Sequence, residues 1–258
     1  IFDPTSISSL KLWLDANQIS GGYVNQPANS GSVTTWKDKS GNSYDATATG
    51  TPTFAVSGIN NLPSVVLSTG NYFLSSIPTG TFANGMTVFV VYQGYGTPSS
   101  DEGFISRLNG DYASPFYIQN DNRVIGNGIG QMVITSSINI NGNTTPSIFH
   151  TTINSSSSSY LESNQFINIV NNTFTDWSDS ENNGNLYIGL GPLGITYNGY
   201  ISEVLVFNSP LTNLQKYQVE GYLAYKWNFV AYLPLYHPFS SYTPANFTPL
   251  LFDSLQVW

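Results

Sequence analysis

The sequence predicts an all-β chain: an antiparallel β-sandwich with one helix near residues 213–227. Three observations predict it. Short runs rich in Val, Ile, Phe, Tyr and Thr recur along the chain, each bounded by Gly, Asn, Ser or Pro. Helical periodicity does not intervene between these runs, so parallel strands joined by crossover helices are not expected. The 258 residues are 40% hydrophobic and 14% aromatic but only 9% charged, which supplies one large core and a neutral surface.

The elements follow in order. Leu10–Leu14 alternates, with Leu10, Leu12 and Leu14 on one face and Lys11 and Trp13 on the other. Further strands are expected at Ser64–Leu67, Asn71–Leu74, Thr87–Tyr92, Gly103–Arg107, Phe116–Gln119, Gln131–Thr135, Ser147–Thr152, Phe166–Val170, Asn185–Leu190 and Tyr200–Phe207. Pro210 then stops the last strand, and Thr212 with Gln215 forms a capping box. Leu214, Tyr217, Gly221, Ala224 and Trp227 recur at helical spacing behind it, with Tyr217 and Trp227 read as core anchors. Gly21–Gly31 reads as a loop and the serine run Ser155–Ser159 as a hairpin tip. The proline- and aromatic-rich stretch 228–250 is expected to wrap the surface in extended form. Residues 1–240 are expected to form one sandwich and 241–258 an extended tail. Phe252-Asp253-Ser254-Leu255-Gln256-Val257-Trp258 echoes Phe2-Asp3 and Ser9-Leu10-Lys11-Leu12-Trp13, so the tail also reads as the start of a following repeat, with chance as the rival explanation.

Composition excludes several functions. Seven Lys plus Arg against fifteen Asp plus Glu give a net charge of −8, too few cations to displace counterions from a nucleic acid. The apolar runs, such as Met86–Tyr92, are too short to span a bilayer. The chain has no Cys, so thiol catalysis, thiolate metal sites and disulfides are ruled out. Its polarity comes from 28 Asn, 33 Ser and 23 Thr. The glycosylation acceptor patterns at Asn143, Asn154, Asn171 and Asn246 are no more than that composition supplies by chance.

Two blocks of sequence carry a family resemblance. One is Leu10-Lys11-Leu12-Trp13-Leu14-Asp15-Ala16 with Trp36-Lys37-Asp38-Lys39-Ser40-Gly41-Asn42. The other is Gly199-Tyr200-Ile201-Ser202-Glu203-Val204-Leu205-Val206-Phe207-Asn208 with Leu211-Thr212, Val219-Glu220-Gly221-Tyr222-Leu223-Ala224-Tyr225-Lys226-Trp227, Leu233-Pro234 and His237-Pro238-Phe239. Together they resemble the laminin-G-like, concanavalin A-like jelly-roll domains of large secreted bacterial proteins and giant-virus proteins, over about residues 5–240. The resemblance implies two curved antiparallel sheets. It implies no particular ligand, since that fold hosts lectins, glycosidases, adhesion modules and structural parts.

The expected function is a non-catalytic binding or adhesion module for carbohydrate or a surface ligand, extracellular or on a virion surface, within a larger protein. The alternative is a structural component of a virus particle, a capsid or fibre protein, assembling with copies of itself or with capsid proteins. A glycoside hydrolase is the third reading, and it needs two carboxylates flanking the scissile bond. The nearest string, Asp176-Trp177-Ser178-Asp179-Ser180-Glu181, has the wrong spacing for the glucanase pattern and reads as a solvated acidic loop. His150 has no recognisable partner, and His237 reads as a buried structural residue. Gly126, Gly128 and Gly130 precede no helix and so form no nucleotide fingerprint. For sugar stacking, Tyr95, Tyr112, Tyr117 and Trp177 are the candidates in or near loops. For a metal, Asp38, Ser40 and Asn42 place oxygen donors at alternate positions around the turn-forming Gly41, with Asp15 as a second carboxylate, and calcium is the ion such hard ligands suit. The rival reading is an Asx turn in which Asp38 bonds its own backbone. Asp101-Glu102 is a second rim candidate.

Overall fold

Leu12 and Leu14 turn into the core along β1 (Leu10–Asp15), while Trp13 and Asp15 face the other way, and the first sheet is built on that division. A computed structural model describes residues 2–95, 102–109, 111–119, 123–126, 132–135, 144–154, 159–162, 170–172, 185–191 and 194–241; the side chains at 104, 108, 109, 111–135 and 153–172 are not described. The expectations placed on Asp101, Asp176–Glu181, Trp177 and the tail beyond residue 241 lie outside these residues, as do those on residues 155–158 and 166–169.

The first sheet runs, from one edge, through β14 (Val170–Asn172), β13 (Ser159–Glu162), β12 (Ser147–Asn154), β7 (Gly85–Gly94), β16 (Gly199–Phe207), β5 (Ser64–Leu67) and β4 (Thr53–Ala55). One edge of β16 is shared: Gly199–Ile201 pairs with β5, and Glu203–Phe207 pairs with β1. A bulge at Ser202 marks the hand-over, with Ile201 opposite Tyr92 and Glu203 opposite Val91. The second sheet runs through β11 (Met132–Thr135), β10 (Arg123–Gly126), β9 (Asp111–Gln119), β8 (Gly103–Asn109), β15 (Leu186–Ile188), β6 (Tyr72–Ser75), β3 (Ala46–Thr49) and β2 (Thr35–Trp36). All of these ladders are antiparallel, as expected. Trp36, Phe73, Phe82, Leu186 and Ile188 of this half meet Leu12, Leu14, Val65, Val204 and Val206 of the other in one hydrophobic core.

β7 is buried at every residue from Gly85 to Tyr92, and β16 from Ile201 to Phe207. Continuous burial requires cover on both faces of a sheet. The core covers one face, and α1 (Asn213–Lys226) covers the other. The helix begins at the capping box of Thr212 and Gln215 and ends with Trp227 as its C-cap, within a residue of the expected span. Gly221 lets the segment after the helix pack closely on α1, because a Cβ there would lie within 2.8 Å of Phe239. The stretch after the helix departs from expectation. Residues 229–241 do not run extended over the surface: Val230–Tyr232 form a 3-10 turn, and Phe229, Leu233, His237 and Phe239 are buried against the helix layer. Apolar side chains at irregular spacing let this segment pack inward in spite of its prolines.

Candidate functional site

The residues quoted for the family resemblance, though far apart in sequence, converge between β1, β16 and α1. Asp15 and Glu203 are direct cross-strand partners, with the bulge at Ser202 just before Glu203. Two carboxylates facing each other destabilise a sheet unless a cation intervenes. Lys226, in the last turn of α1, supplies it: its Nζ lies 2.8 Å from Asp15 Oδ2 and 2.7 Å from Glu203 Oε2. Lys39 approaches Asp15 Oδ2 at 2.7 Å from the other side and stands 3.7 Å over the Trp13 ring. Glu203 is fully buried and accepts from three further donors: Trp13 Nε1 at 2.6 Å and Tyr222 OH at 2.8 Å on Oε1, and Trp227 Nε1 at 2.5 Å on Oε2. Lys226 also donates to the Tyr222 hydroxyl at 2.9 Å.

Burial alone would push the Asp15 carboxyl up, but the ammoniums of Lys226 and Lys39 outweigh it and hold Asp15 below its ordinary value of 3.8. Burial, with the neighbouring Asp15 charge, pushes Glu203 above the usual carboxylate range against the opposing pull of Lys226 and Trp227. Burial works against the Lys226 charge, yet Glu203 and Asp15 together raise it above 10.5. Burial and the facing carboxylates raise the Tyr222 hydroxyl, so it stays a neutral donor. A depressed carboxyl stabilises the fold fully above its unfolded value, and that contribution is lost as the pH falls through the lower folded value. The difference in unfolding free energy between wild type and Asp15→Asn is therefore expected to be flat from about pH 5 to about pH 8 and to close in acid below 3.8. Denaturant titrations at stepped pH measure it; a difference that persists unchanged in strong acid contradicts the charge-based role.

Outside this cluster lies a cleft of about 700 Å³, inside the size range of small-molecule sites. Trp13, Asp15, Tyr222 and Lys226 form the wall it shares with the cluster. Phe2, Tyr23 and Tyr225 add aromatic surface, Asn17 and Gln18 add amides, and Asp3, Thr5 and Lys39 complete the polar lining. Local structure sets several of these. Asp3 caps a 3-10 turn at Pro4–Ser6, and Asp15 Oδ1 caps the 3-10 turn Ala16–Gln18 by accepting from Asn17 N–H at 2.9 Å. Tyr23 stands 78% exposed at the rim, in the loop expected at Gly21–Gly31.

The Asp38 loop forms beside this site. Asp38 Oδ1 accepts from the Trp13 and Ser40 N–H groups at 3.0 and 2.8 Å, and Oδ2 accepts from Ser40 Oγ and Tyr44 N–H at 2.7 and 3.0 Å. This is the Asx turn, and it does more than close itself. Asn42 Nδ2 donates to the Lys11 carbonyl, and Lys39 N–H donates to the Trp13 carbonyl, so the loop covers the edge of β1 away from β16. Asp38, Ser40 and Asn42 are thus brought together, whereas the Asp15 carboxylate is bonded to Lys39 and Lys226. Groups of three or more His, Cys, Asp or Glu side chains that could hold a metal ion are absent among the described residues. Tyr95 is 39% exposed, packs edge-on to Tyr200 with ring centroids 4.9 Å apart, and does not line the cleft. Tyr112 and Tyr117 fall in β9 and their side chains are outside the described residues.

The two histidines meet through one residue that sequence reasoning did not single out. Glu220 of α1 lies 3.0 Å from His150 Nδ1 by Oε1 and 2.9 Å from His237 Nε2 by Oε2, all three buried. The Phe239 N–H donates to His237 Nδ1 at 3.2 Å, which leaves His237 Nε2 to donate to Glu220. His237 is therefore the buried, hydrogen-bonded residue expected, and it ties the segment after α1 to the helix.

Comparison with known proteins adds the fold's company. No protein-family model and no curated protein matches the chain. Solved structures do match. Domain 4 of AbnA, a GH43 extracellular arabinanase from Geobacillus stearothermophilus in complex with arabinotriose, superposes with a TM-score of 0.61 at 12% identity, over 80% of this chain and 96% of that one. The likeness is one of fold: an antiparallel β-sandwich. The binding domain of botulinum neurotoxin DC superposes with a TM-score of 0.55 at 13% identity in two complexes. With rat synaptotagmin II the match covers 86% of this chain, and with SialylT 83%. This chain spans about half the length of that toxin domain, 51% in both.

Proposed function

We propose that the chain is a non-catalytic, extracellular binding module that takes a carbohydrate in the cleft between β1 and α1. The observation that carries this reading is the lining, which brings the rings of Tyr23, Tyr225, Phe2, Trp13 and Tyr222 into one cleft with the amides of Asn17 and Gln18. Sugars present C–H faces that stack on aromatic rings and hydroxyls that exchange hydrogen bonds with amides and ammoniums. The AbnA domain, which is similar in fold and bound to arabinotriose, supports the class of ligand. The virus-particle alternative finds no comparable support in these likenesses. The non-catalytic reading rests on the carboxylates. Asp15 is held ionised by two ammoniums and Glu203 is buried behind the wall, which leaves Asp3 alone at the mouth where glycoside hydrolysis needs a pair of carboxylates. No helix among the described residues is long and apolar enough to cross a membrane.

A glycan array on the purified chain tests the proposal. Binding of related oligosaccharides is expected, with at least about a tenfold loss in Tyr225→Ala and no loss in Tyr95→Ala. Hydrolysis of a bound glycan would overturn the non-catalytic reading. Calcium at Asp38, Ser40 and Asn42 is a separate proposal. A cation there has to displace donors that already occupy both Asp38 oxygens. Melting in millimolar calcium against chelator decides it: a rise of several degrees supports the site, and superimposable curves reduce Asp38 to its turn.

A further inference from the structure

We infer that the cleft selects uncharged glycan ends over ends carrying a sialic or uronic acid. The inference rests on the reading of the cleft as a glycan site and specifies which glycans it admits. Its basis is a charge count. The lining brings two ammoniums, Lys39 and Lys226, and two carboxylates, Asp3 and Asp15, with the buried Glu203 bonded to Trp13 and Lys226 of that lining. An anionic sugar needs a cation with its charge in surplus, usually one able to meet the carboxylate directly. Neither lysine meets that need. Lys39 and Lys226 both bond the same oxygen, Asp15 Oδ2, at 2.7 and 2.8 Å, and Lys226 is further committed to Glu203 Oε2 at 2.7 Å and the Tyr222 hydroxyl at 2.9 Å. Asp3 stands exposed at the mouth, where its charge opposes an incoming carboxylate. A neutral sugar loses nothing by this arrangement. Its hydroxyls accept from ammonium protons as readily as they donate to carboxylates, and its ring stacks on tyrosine without regard to charge.

The neutrality of the cleft depends on Asp15. Removing that one charge frees Lys39 of its carboxylate partner while Glu203 and Tyr222 still hold Lys226, so the lining gains a surplus positive charge and Asp15→Asn is expected to move the preference toward acidic ends rather than merely weaken binding. A structural defect lowers the affinity for neutral and acidic forms alike, which is what separates the two roles. The experiment uses paired glycans with the same core, one neutral at its end and one sialylated, titrated against wild type and variants at two salt concentrations. Wild type is expected to bind the neutral member at least about tenfold more tightly, with little salt dependence, and Asp15→Asn is expected to reduce that ratio several-fold. Should Asp15→Asn fail to fold, Asp3→Asn keeps its turn cap, removes one charge at the mouth, and is expected to shift the ratio in the same direction. Equal or tighter binding of the sialylated member by wild type overturns the inference while leaving the carbohydrate-binding function intact. An unchanged ratio in the folded variants also overturns it. Binding of neither member in any pair across the array overturns the function and the inference together.

Discussion

Glu203→Ala is expected to cost about 3–5 kcal/mol of unfolding free energy, the range for removing one member of a buried ion pair. The loss comes from what is left behind. Lys226 keeps a buried charge facing only Asp15, and two indole N–H groups and the Tyr222 hydroxyl lose their acceptor. At this chain length the melting temperature should fall by on the order of 10 °C. Glu203→Gln keeps the shape but cannot serve four donors as a carboxylate does, so it should fall between wild type and Ala. Replacing Glu203 and Lys226 together by Leu and Met removes both charges and should recover part of the loss. Guanidinium titrations read all of these, and a loss below about 1 kcal/mol for Glu203→Ala contradicts its place as the hub.

Trp227→Ala is expected to cost a similar amount, about 3–5 kcal/mol, as a fully buried ring leaves a cavity between α1 and the first sheet. Part of that cost runs through Glu203, since the indole N–H donates to Oε2. The effects of Trp227→Ala and Glu203→Ala should therefore not add. The double variant is expected to lose less than the sum by about 0.5–3 kcal/mol, the range for residues in direct contact. Strict additivity would show that the indole contributes packing alone.

Much of this architecture was legible in the sequence, and the residues show why. The alternation from Leu10 to Leu14 placed Trp13 on the face opposite the leucines, where α1 now packs. The capping box at Thr212 located the helix start. What escaped were short strands without periodicity, Thr35–Trp36, Ala46–Thr49 and Thr53–Ala55, whose Thr and Ala residues look like loop and whose pairing is set by distant partners. The cleft escaped for a related reason. Phe2, Tyr23, Trp13 and Tyr225 are separated by up to 223 positions, and one sequence offers no signal that joins them. Glu203 did leave a trace: a lone acid inside the apolar run Ile201–Phe207 must find a buried partner or unfold the strand. Reading that acid against the few lysines available would have pointed to Lys226. Asp15, by contrast, reads as a metal ligand from its charge alone, and in the structure Lys39 and Lys226 meet that charge.

The most direct measurement is a crystal structure of the chain with an oligosaccharide identified on the array. The account predicts ligand density in the cleft between β1 and α1, with a sugar ring against Tyr225 or Tyr23 and hydroxyls within hydrogen-bond distance of Asn17, Gln18 or Lys39. Density on the outer face of the second sheet, or beside Tyr95 and Tyr200, with the cleft holding only water, would contradict it.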